Sequence, residues 1–439
     1  MRQESGAAVH RTRSLPIIPA LVAALLLASG CAGGSGDAGP FQGRWRSEGF
    51  GLLLDVSGSI DVYEYTSVSC GRVAGGSGIG SGEILGLLGD RLILAETART
   101  IAFDRIDALP EICSEPFRSD DPADAYEVLV ATMVEHYAFF DLREPGWPDR
   151  AAAAAAGVVP GLDDSGLLRV FQDLLGPLGD AQVRIAGPGR HLIPEGAWSA
   201  GRPPAGVADL AARIRSGQVP GVSEVEISAD GGVVGGLLPG GVGYLAINRL
   251  AGFDADPAIE ERLLAEALTA QLGRFGDAPG LVVDLRVNRG GRENLAMLTA
   301  SRFVAADTLV ATRTVRVGGT DTYVDGGDVV VGPMSVGPYP APIVVLVGPG
   351  TSGAGEWLAL ALGEVPGAIL VGSPTAGSLS PLLVRELPNG WTLGLSHQRV
   401  LDARGVSWEG RGIPVDVVVT EPATDDHDPV IEAALAALG

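Results

Sequence analysis

Residues 343–362 read IVVLVGPGTSGAGEWLALAL, and this stretch decides the fold of the chain. The β-branched and leucine run at 343–347 predicts a buried strand, and the apolar residues after Glu356 predict a helix. A loop of small residues joins the two. A serine held at such a strand–loop–helix junction is often a nucleophile, because backbone N–H groups at the helix start can face a developing oxyanion. The alternative interpretation is a glycine-rich turn of the kind that α/β proteins commonly contain.

The composition narrows the possible classes of protein. At 439 residues the chain is long enough for two or three domains, and its 46% hydrophobic content supplies a full core. A formal net charge of −22, without a basic patch to follow a phosphate backbone, disfavours nucleic-acid binding. All 31 basic residues are arginine, so no lysine of this chain can serve as a catalytic base.

The N-terminus has the features of an export signal. Arg11 and Arg13 precede a mostly apolar run at 15–27 that is too short for a comfortable membrane span. The run ends in Ala-Ser-Gly-Cys at 28–31, which resembles a bacterial lipoprotein signal. We therefore predict a signal peptide at 1–30 and an exported protein, anchored to a membrane through lipidated Cys31 at the cell surface or in the periplasm. Ordinary signal cleavage, with the cysteine incidental, is the alternative.

A tether and a β-rich region follow the predicted signal peptide. Residues 31–40 are rich in Gly and Ser and predict a flexible tether, and 41–115 alternate short strand-like runs with turns and predict an accessory β domain. The remaining cysteines, Cys70 and Cys113, are expected to form a disulfide in an exported chain. Two buried free thiols are the alternative.

The rest of the chain changes from helical to α/β patterning. Apolar residues at helical spacing predict a helical segment at 119–184, and a Gly/Pro-rich stretch with little periodicity predicts a connection of loops and short strands at 185–242. Strand and helix patterns then alternate through 243–425, which predicts an α/β core with a mixed sheet. His136 lies among aromatic residues of the helical segment and is interpreted as a packed histidine rather than a catalyst.

Four separated motifs fall in an order and spacing that resemble a known family. They are VVDLRVNRGG at 282–291, GTSGAGE at 350–356, GSPTAG at 372–377 and WEGRGIPVD at 408–416. Together they resemble the tail-specific (carboxy-terminal processing) proteases, a family of serine peptidases that includes tricorn-type peptidases and the repeats of interphotoreceptor retinoid-binding protein. Residues 136–141 and 178–182 look like the helical part of tricorn-like bacterial members, so the resemblance covers roughly 120–425.

This resemblance implies a fold and a chemistry. The expected fold class is α/β, with a ClpP/crotonase-like βα core beside the helical segment and the small β domain. The family's serine attacks a carbonyl of a protein or peptide substrate while glycine N–H groups hold the oxyanion. By resemblance these donors are Gly290, Gly291 and Gly353, with Asn288 and Glu356 in supporting places. No metal or other cofactor is expected.

The family's catalytic positions carry different residues in this chain. The nucleophile stands three residues before the glutamate of its loop, a position that is Gly353 here, which leaves Ser352 as a displaced candidate. The lysine base of one branch is replaced by Ser378. The histidine of the tricorn-like branch is replaced by Gln182, whose amide cannot accept a proton at neutral pH. Glu409 matches the glutamate that supports this histidine.

Two functions remain open from the sequence. The chain either hydrolyses peptide bonds of proteins near their C-termini, with Ser352 as nucleophile and a non-standard base, or it binds peptides or proteins as a catalytically inactive family member. His191 and His397 are the alternative candidates for the base. The missing serine and histidine favour binding, whereas catalysis is favoured by the retained Asn288, Gly290, Gly291, Glu356 and Glu409.

Overall fold

The computed structural model describes residues 39–57, 59–73, 84–95, 100–143, 146–187, 190–192, 206–424 and 426–439. The predicted signal peptide, Cys31 and most of the predicted tether lie outside these residues. The described chain forms antiparallel and mixed sheets with helices packed on them, which confirms the predicted α/β fold class. No described helix combines the length and the apolar character that crossing a membrane requires.

The N-terminal part of the described chain is an antiparallel sheet of short strands. They are β1 (Gly43–Ser47), β2 (Leu52–Val56), β3 (Ile60–Tyr65), β4 (Cys70–Arg72), β5 (Ile84–Leu88), β6 (Arg91–Ala95) and β7 (Thr100–Ile106). Their order in the sheet is β4-β3-β2-β1-β7-β6-β5. Trp45, Leu54 and Phe103 are buried together in one apolar cluster of this sheet. A disulfide joins Cys70 in β4 to Cys113, beyond β7.

A group of helices follows the β-rich part. These are α1 (Pro122–His136), α2 (Phe140–Arg143), α3 (Trp147–Ala155) and α4 (Asp164–Leu175). Helix α1 begins where it does because the Asp121 side chain caps it, accepting from the Ala123 N–H at 2.9 Å. The helices share an apolar cluster with later strands, in which Phe171 packs against Trp391. Leu178 belongs to the same cluster, so the packing fixes the turn that leads to Gln182.

The region predicted as a loop-rich connection contains regular structure. It includes β8 (Arg184–Gly187), β9 (Arg190–Leu192), α5 (Val207–Arg215), β10 (Ser223–Ser228) and β11 (Val233–Leu237). Gly235 and Gly236 weaken the strand pattern in the sequence, but a Cβ at Gly235 would lie 1.8 Å from Gln271 Oε1. Close packing rather than strand propensity therefore makes β11 a strand. Since β10 and β11 belong to the main sheet, the core begins before residue 243.

The α/β core is built on a mixed sheet. Its elements are β12 (Gly243–Ile247), α6 (Pro257–Arg274), β13 (Leu281–Asp284), α7 (Glu293–Ala300), β14 (Thr308–Arg316), β15 (Tyr323–Val331), β16 (Ile343–Val347), α8 (Ala354–Gly363), β17 (Ile369–Gly372), β18 (Leu382–Glu386), β19 (Thr392–Ser396), β20 (Gln398–Asp402), β21 (Val417–Val418) and α9 (Pro429–Leu438). The order of the main sheet is β10-β11-β12-β13-β16-β17-β21, parallel from β12 onward. Smaller sheets have the orders β15-β14-β20 and β18-β19-β8-β9.

Helices cover both faces of the main sheet. Val430 and Ile431 of α9 pack with Tyr244 on one face, although the predicted core ended at residue 425. Trp357 of α8 packs on the other face. The loops after the parallel strands β13, β16 and β17 leave the same edge of the sheet, which is where sites form in sheets of this kind.

Candidate active site

The loop between β16 and α8 is an elbow that turns sharply into the helix. Gly353, the residue before α8, has φ 54° and ψ −124°, a conformation that side chains rarely permit. The Thr351 hydroxyl donates to Leu285 O at 2.8 Å, and the Ser352 N–H donates to Asn288 O at 2.9 Å. The loop that the sequence indicated as the site is therefore held by the segment that follows β13.

The strained position of this elbow is Gly353 rather than Ser352. An elbow of this type presents its nucleophile from the strained residue at the strand-to-helix turn. A Cβ at Gly353 would lie 3.9 Å from Gly290 Cα and 4.0 Å from Arg289 O, so there is open space for a side chain. Ser352 is half-buried, and its hydroxyl forms no hydrogen bond with any residue that the structure describes. The candidate nucleophile thus has no base beside it in the described chain.

Glu356 is a buried carboxylate that ties the elbow to the next loop. The Thr375 hydroxyl donates to it at 2.5 Å, and the Gly377 and Ser378 N–H groups donate at 2.8 Å each. The Gly353 N–H also donates to it, at 3.2 Å. Burial raises the pKa of Glu356 to about 7, although these hydrogen bonds favour the charged form. These contacts give Glu356 a supporting place under the elbow.

Two of the predicted oxyanion donors are occupied by contacts within the protein. The Gly290 N–H donates to Asn288 Oδ1 at 2.9 Å. The Gly353 N–H donates to Glu356 and to Ser378 O, as one three-centre arrangement. The Gly291 N–H donates to no described residue. Of the three predicted donors, Gly291 is therefore the one that remains available to a ligand.

Ala354 is an available donor that the sequence did not indicate. Its N–H, at the first position of α8, has no hydrogen-bond partner among the described residues. In an elbow the residue after the nucleophile position supplies an oxyanion N–H. The sequence would therefore have indicated Ala354 as a donor only if Gly353 had been taken as the nucleophile position. A Cβ at Gly290 would lie 2.7 Å from Ser352 O and 2.8 Å from Ala354 N. The Gly290–Gly291 turn and the start of α8 are therefore in direct contact.

Gln182 and Glu409 meet on one short segment, residues 379–380. The Gln182 side-chain amide donates to Ser380 O. Glu409 Oε2 accepts from the Leu379 N–H at 2.9 Å and from the Ser380 N–H at 3.0 Å. The structure thus brings together the residue at the family's histidine position and the matching glutamate. Because an amide has no titratable nitrogen, Gln182 holds the segment but cannot act as a base.

Glu409 also lies beside charges that the sequence did not indicate. Arg143 Nη2 lies 3.4 Å from Glu409 Oε1, and Arg143 Nε lies 3.6 Å from Asp180 Oδ2. Burial, followed by the nearby Asp180 carboxylate, raises the pKa of Glu409 to about 8, against the opposing effects of the Ser380 N–H and of Arg143. Arg143 comes from α2, so only the tertiary structure brings it to this carboxylate.

The alternative histidine bases are not placed to serve. His397 Nδ1 lies 3.0 Å from Pro381 O, and its Nε2 lies 2.9 Å from Gln398 Nε2. Both ring nitrogens are therefore engaged by neighbours, with the Nδ1–H donating to the carbonyl. The side chain of His191 lies outside the part of the chain that the structure describes. In the described part, then, neither alternative assists Ser352.

The fold and the elbow define the scaffold of a serine hydrolase. Residues 241–419 match the family model described as Peptidase family S41. Over 148 residues, 34% of this chain, the sequence is 29% identical to the carboxy-terminal-processing protease of Bartonella bacilliformis, and the match spans 32% of that protein. Over this matched core the chain is similar to peptidase family S41, the tail-specific proteases. The family predicted from the four sequence motifs is thereby confirmed.

A solved structure supports the same fold. A candidate peptidase from Parabacteroides merdae has a TM-score of 0.62 against this chain at 21% sequence identity, covering 73% of this chain and 97% of that one. The similarity extends beyond the 241–419 match, so it includes part of the chain that precedes the core. At this level of identity it describes architecture and carries no statement about activity.

Proposed function

We propose that this protein binds peptide chains near their C-terminal ends in the S41 site without hydrolysing them. One observation carries the proposal: the elbow keeps its strained geometry at Gly353, where no side chain exists to attack a carbonyl. Backbone groups can hold an oxyanion, but they cannot attack a carbonyl in place of the missing side chain. Members of a catalytic triad typically contribute several orders of magnitude to the rate when they act together.

The residues around Ser352 support the absence of turnover. A serine hydroxyl at its ordinary pKa attacks slowly unless a base accepts its proton. Gln182 stands at the histidine position and uses its amide to bind Ser380 O. The chain contains no lysine, and arginine stays protonated at any physiological pH. Glu409 keeps its place but has no imidazole to orient.

The remaining N–H groups support binding. Those of Gly291 and Ala354 are unengaged in the described chain and belong to two segments in contact. The Ala354 N–H also lies at the positive end of α8, where an oxygen carrying negative charge is favoured. A carbonyl or a terminal carboxylate of a bound peptide fits these donors chemically. The peptide is therefore proposed to be held where a substrate would otherwise be cut.

Hydrolysis through Ser352 is the second candidate. The observation in its favour is that the half-buried Ser352 hydroxyl is unengaged in the described chain and lies next to the elbow position. The Gly353 N–H that would hold the oxyanion in this reaction already donates to Glu356. Turnover of peptides that disappears in Ser352→Ala would support this candidate and contradict the proposed binding role.

Removing one donor tests the binding proposal. Ala354→Pro deletes the N–H at the first position of α8, where proline is compatible with a helix, and amide exchange at Gly290 and Gly291 checks that their contact with this position is kept. We expect the affinity of the full chain for peptides that end in a free carboxylate to fall by about tenfold or more, as for loss of one hydrogen bond to a charged group. Ser352→Ala is the matched control and should leave the calorimetric affinity unchanged. Equal affinity in Ala354→Pro and the parent would contradict the proposal.

We further propose that the protein is exported and anchored to a membrane by a lipid on Cys31. The support is the sequence at 11–31, a basic start and a short apolar run that ends in small residues before the cysteine. Cys31→Ala should move the protein from the membrane fraction to the soluble exported fraction and abolish incorporation of labelled fatty acid. Unchanged fractionation and labelling would reject the anchor.

A further inference from the structure

A loop of the N-terminal sheet is seated in the α/β core close to the candidate site. We call residues 48–51, between β1 and β2, the Phe50 loop. Its Phe50 side chain is 3% exposed, and the ring lies edge-on to His397 with centroids 5.4 Å apart and planes at 70°. Arg385 of β18 donates to Phe50 O. Contacts with β18 and with His397, the residue between β19 and β20, therefore hold this loop.

The shape of the Phe50 loop is fitted to its surroundings. Gly49 and Gly51 have φ of 79° and 60°. A Cβ at Gly49 would lie 2.6 Å from Val315 Cγ1, and one at Gly51 would lie 2.6 Å from His136 Nε2. His136 is a packed histidine: its Nδ1 lies 3.2 Å from Gly49 O, and burial lowers its pKa to about 3. The loop is thus fixed at Phe50 and on both sides of it.

Only a few contacts separate Phe50 from the segment that Gln182 and Glu409 share. His397, under the Phe50 ring, donates from Nδ1 to Pro381 O at 3.0 Å. Pro381 follows directly on Ser380, whose N–H donates to Glu409 and whose carbonyl accepts from Gln182. Residues 379–381 are therefore held by Gln182 and Glu409 and also, through His397, by the Phe50 loop of the N-terminal sheet.

We propose that Phe50 is a positioning residue for the candidate site and acts through His397. By holding the imidazole against Pro381 O, it keeps the 379–381 segment where Gln182 and Glu409 bind it. This assigns the N-terminal sheet a part in the geometry of the site. The consequence for ligand affinity rests on the proposed peptide binding, whereas the consequence for the segment itself does not.

Two sets of backbone amides provide an internal comparison. The Leu379 and Ser380 N–H groups donate to Glu409, and those of Gly377 and Ser378, directly before them, donate to Glu356. Phe50 supports the first set and has no described contact with the second. Amide-resolved hydrogen exchange of the full chain can therefore separate a local effect from general loosening.

Phe50→Leu keeps apolar volume but removes the aromatic edge contact. We expect exchange at Leu379 and Ser380 to accelerate about threefold to tenfold, as for loss of one aromatic pair. Exchange at Gly377 and Ser378 should stay unchanged. Phe103→Leu, a buried aromatic substitution in the same apolar cluster but without a ring contact to His397, is the matched control for loosening of that cluster and should leave all four amides unchanged.

Three results would overturn the positioning role. They are unchanged exchange at Leu379 and Ser380 in Phe50→Leu, equal acceleration at all four amides, or the same acceleration in Phe103→Leu. Peptide affinity is measured on the same variants and should fall in Phe50→Leu alone. If the parent protein binds no peptide, the proposed function fails, and the exchange comparison still decides the role of Phe50.

Discussion

The two sides of the candidate site differ in what they lack. On the elbow side, residues 350–356 keep the backbone turn and its carboxylate, but Gly353 has no side chain. On the base side, Gln182 and Glu409 both make their contacts with residues 379–380, but Gln182 has no titratable group. The groups that hold loops in place are present on both sides, and those that would only perform chemistry are absent.

The comparison shows which parts of such a site the fold itself requires. Glu356 satisfies several backbone donors in the interior, and losing it would leave these groups unpaired. A serine at position 353 would satisfy no described neighbour, because the nearest atoms to a Cβ there are 3.9 Å away. Folding thus constrains the carboxylate and places no demand on the nucleophile.

The largest expected effect comes from removing the elbow carboxylate. Glu356→Ala should lower the free energy of unfolding by about 3–5 kcal/mol, since it leaves buried donors without an acceptor. Glu409→Ala should cost less, because fewer N–H groups depend on Glu409. Urea unfolding of both variants measures the difference. A larger loss in Glu409→Ala would contradict the assignment of Glu356 as the main structural carboxylate.

Alanine at the two glycines of the elbow contact is the next comparison. In Gly290→Ala the Cβ would approach Ser352 O to 2.7 Å, so displacement of the loop adds to the backbone strain at φ 86°. We expect a loss of about 3 kcal/mol in unfolding free energy. Gly353→Ala meets open space, and we expect only about 1–2 kcal/mol from its positive φ. Thermal unfolding measures both losses. A larger loss in Gly353→Ala than in Gly290→Ala would contradict the open space at position 353.

The last comparison concerns the dependence of stability on pH. The pKa values of Glu356 and Glu409 are raised to about 7 and about 8, so between about pH 4.5 and 8 the folded state binds protons more tightly than the unfolded state. Stability should be greatest below this window and fall as the pH rises through it. In Glu409→Gln the fall should end near pH 7 instead of continuing to pH 8. Urea unfolding at several pH values measures the slope, and an identical fall in both proteins would contradict burial as the dominant cause.

Local sequence patterns predicted much of the candidate site, and the remaining features depend on the tertiary structure. The strand, loop and helix at 343–362 and the Gly290–Gly291 turn are consecutive residues with their own signals. The engagement of the Gly290 N–H by Asn288 and the availability of Ala354 depend on backbone torsions that no pattern specifies. Arg143 is separated from Glu409 by most of the chain, so nothing in the sequence near either residue indicates their contact.

The fold, like the site, was predicted where local patterns specify it and was not predicted where long-range contacts decide. Alternating strand and helix patterns predicted the α/β core, because those patterns report burial along one element. Short strands were expected before the core, but the position of β11 was not predicted, because its glycines fit against Gln271, which lies in a later helix. Helix α9 lies beyond the predicted end of the core and is joined to it by the buried ion pair of Asp428 with Arg286 at 2.9 Å. Such long-range contacts determine where the core begins and ends.

The most direct test of the central claim is labelling with a fluorophosphonate probe, which reacts with activated serines. The parent protein should show no adduct. Gly353→Ser combined with Gln182→His places a hydroxyl at the elbow and an imidazole at the position that contacts the same 379–380 segment as Glu409, and it should gain an adduct mapped to position 353. Gln182→His alone, which keeps Ser352, should remain unlabelled. An adduct on Ser352 in the parent protein, together with peptide turnover, would contradict the account.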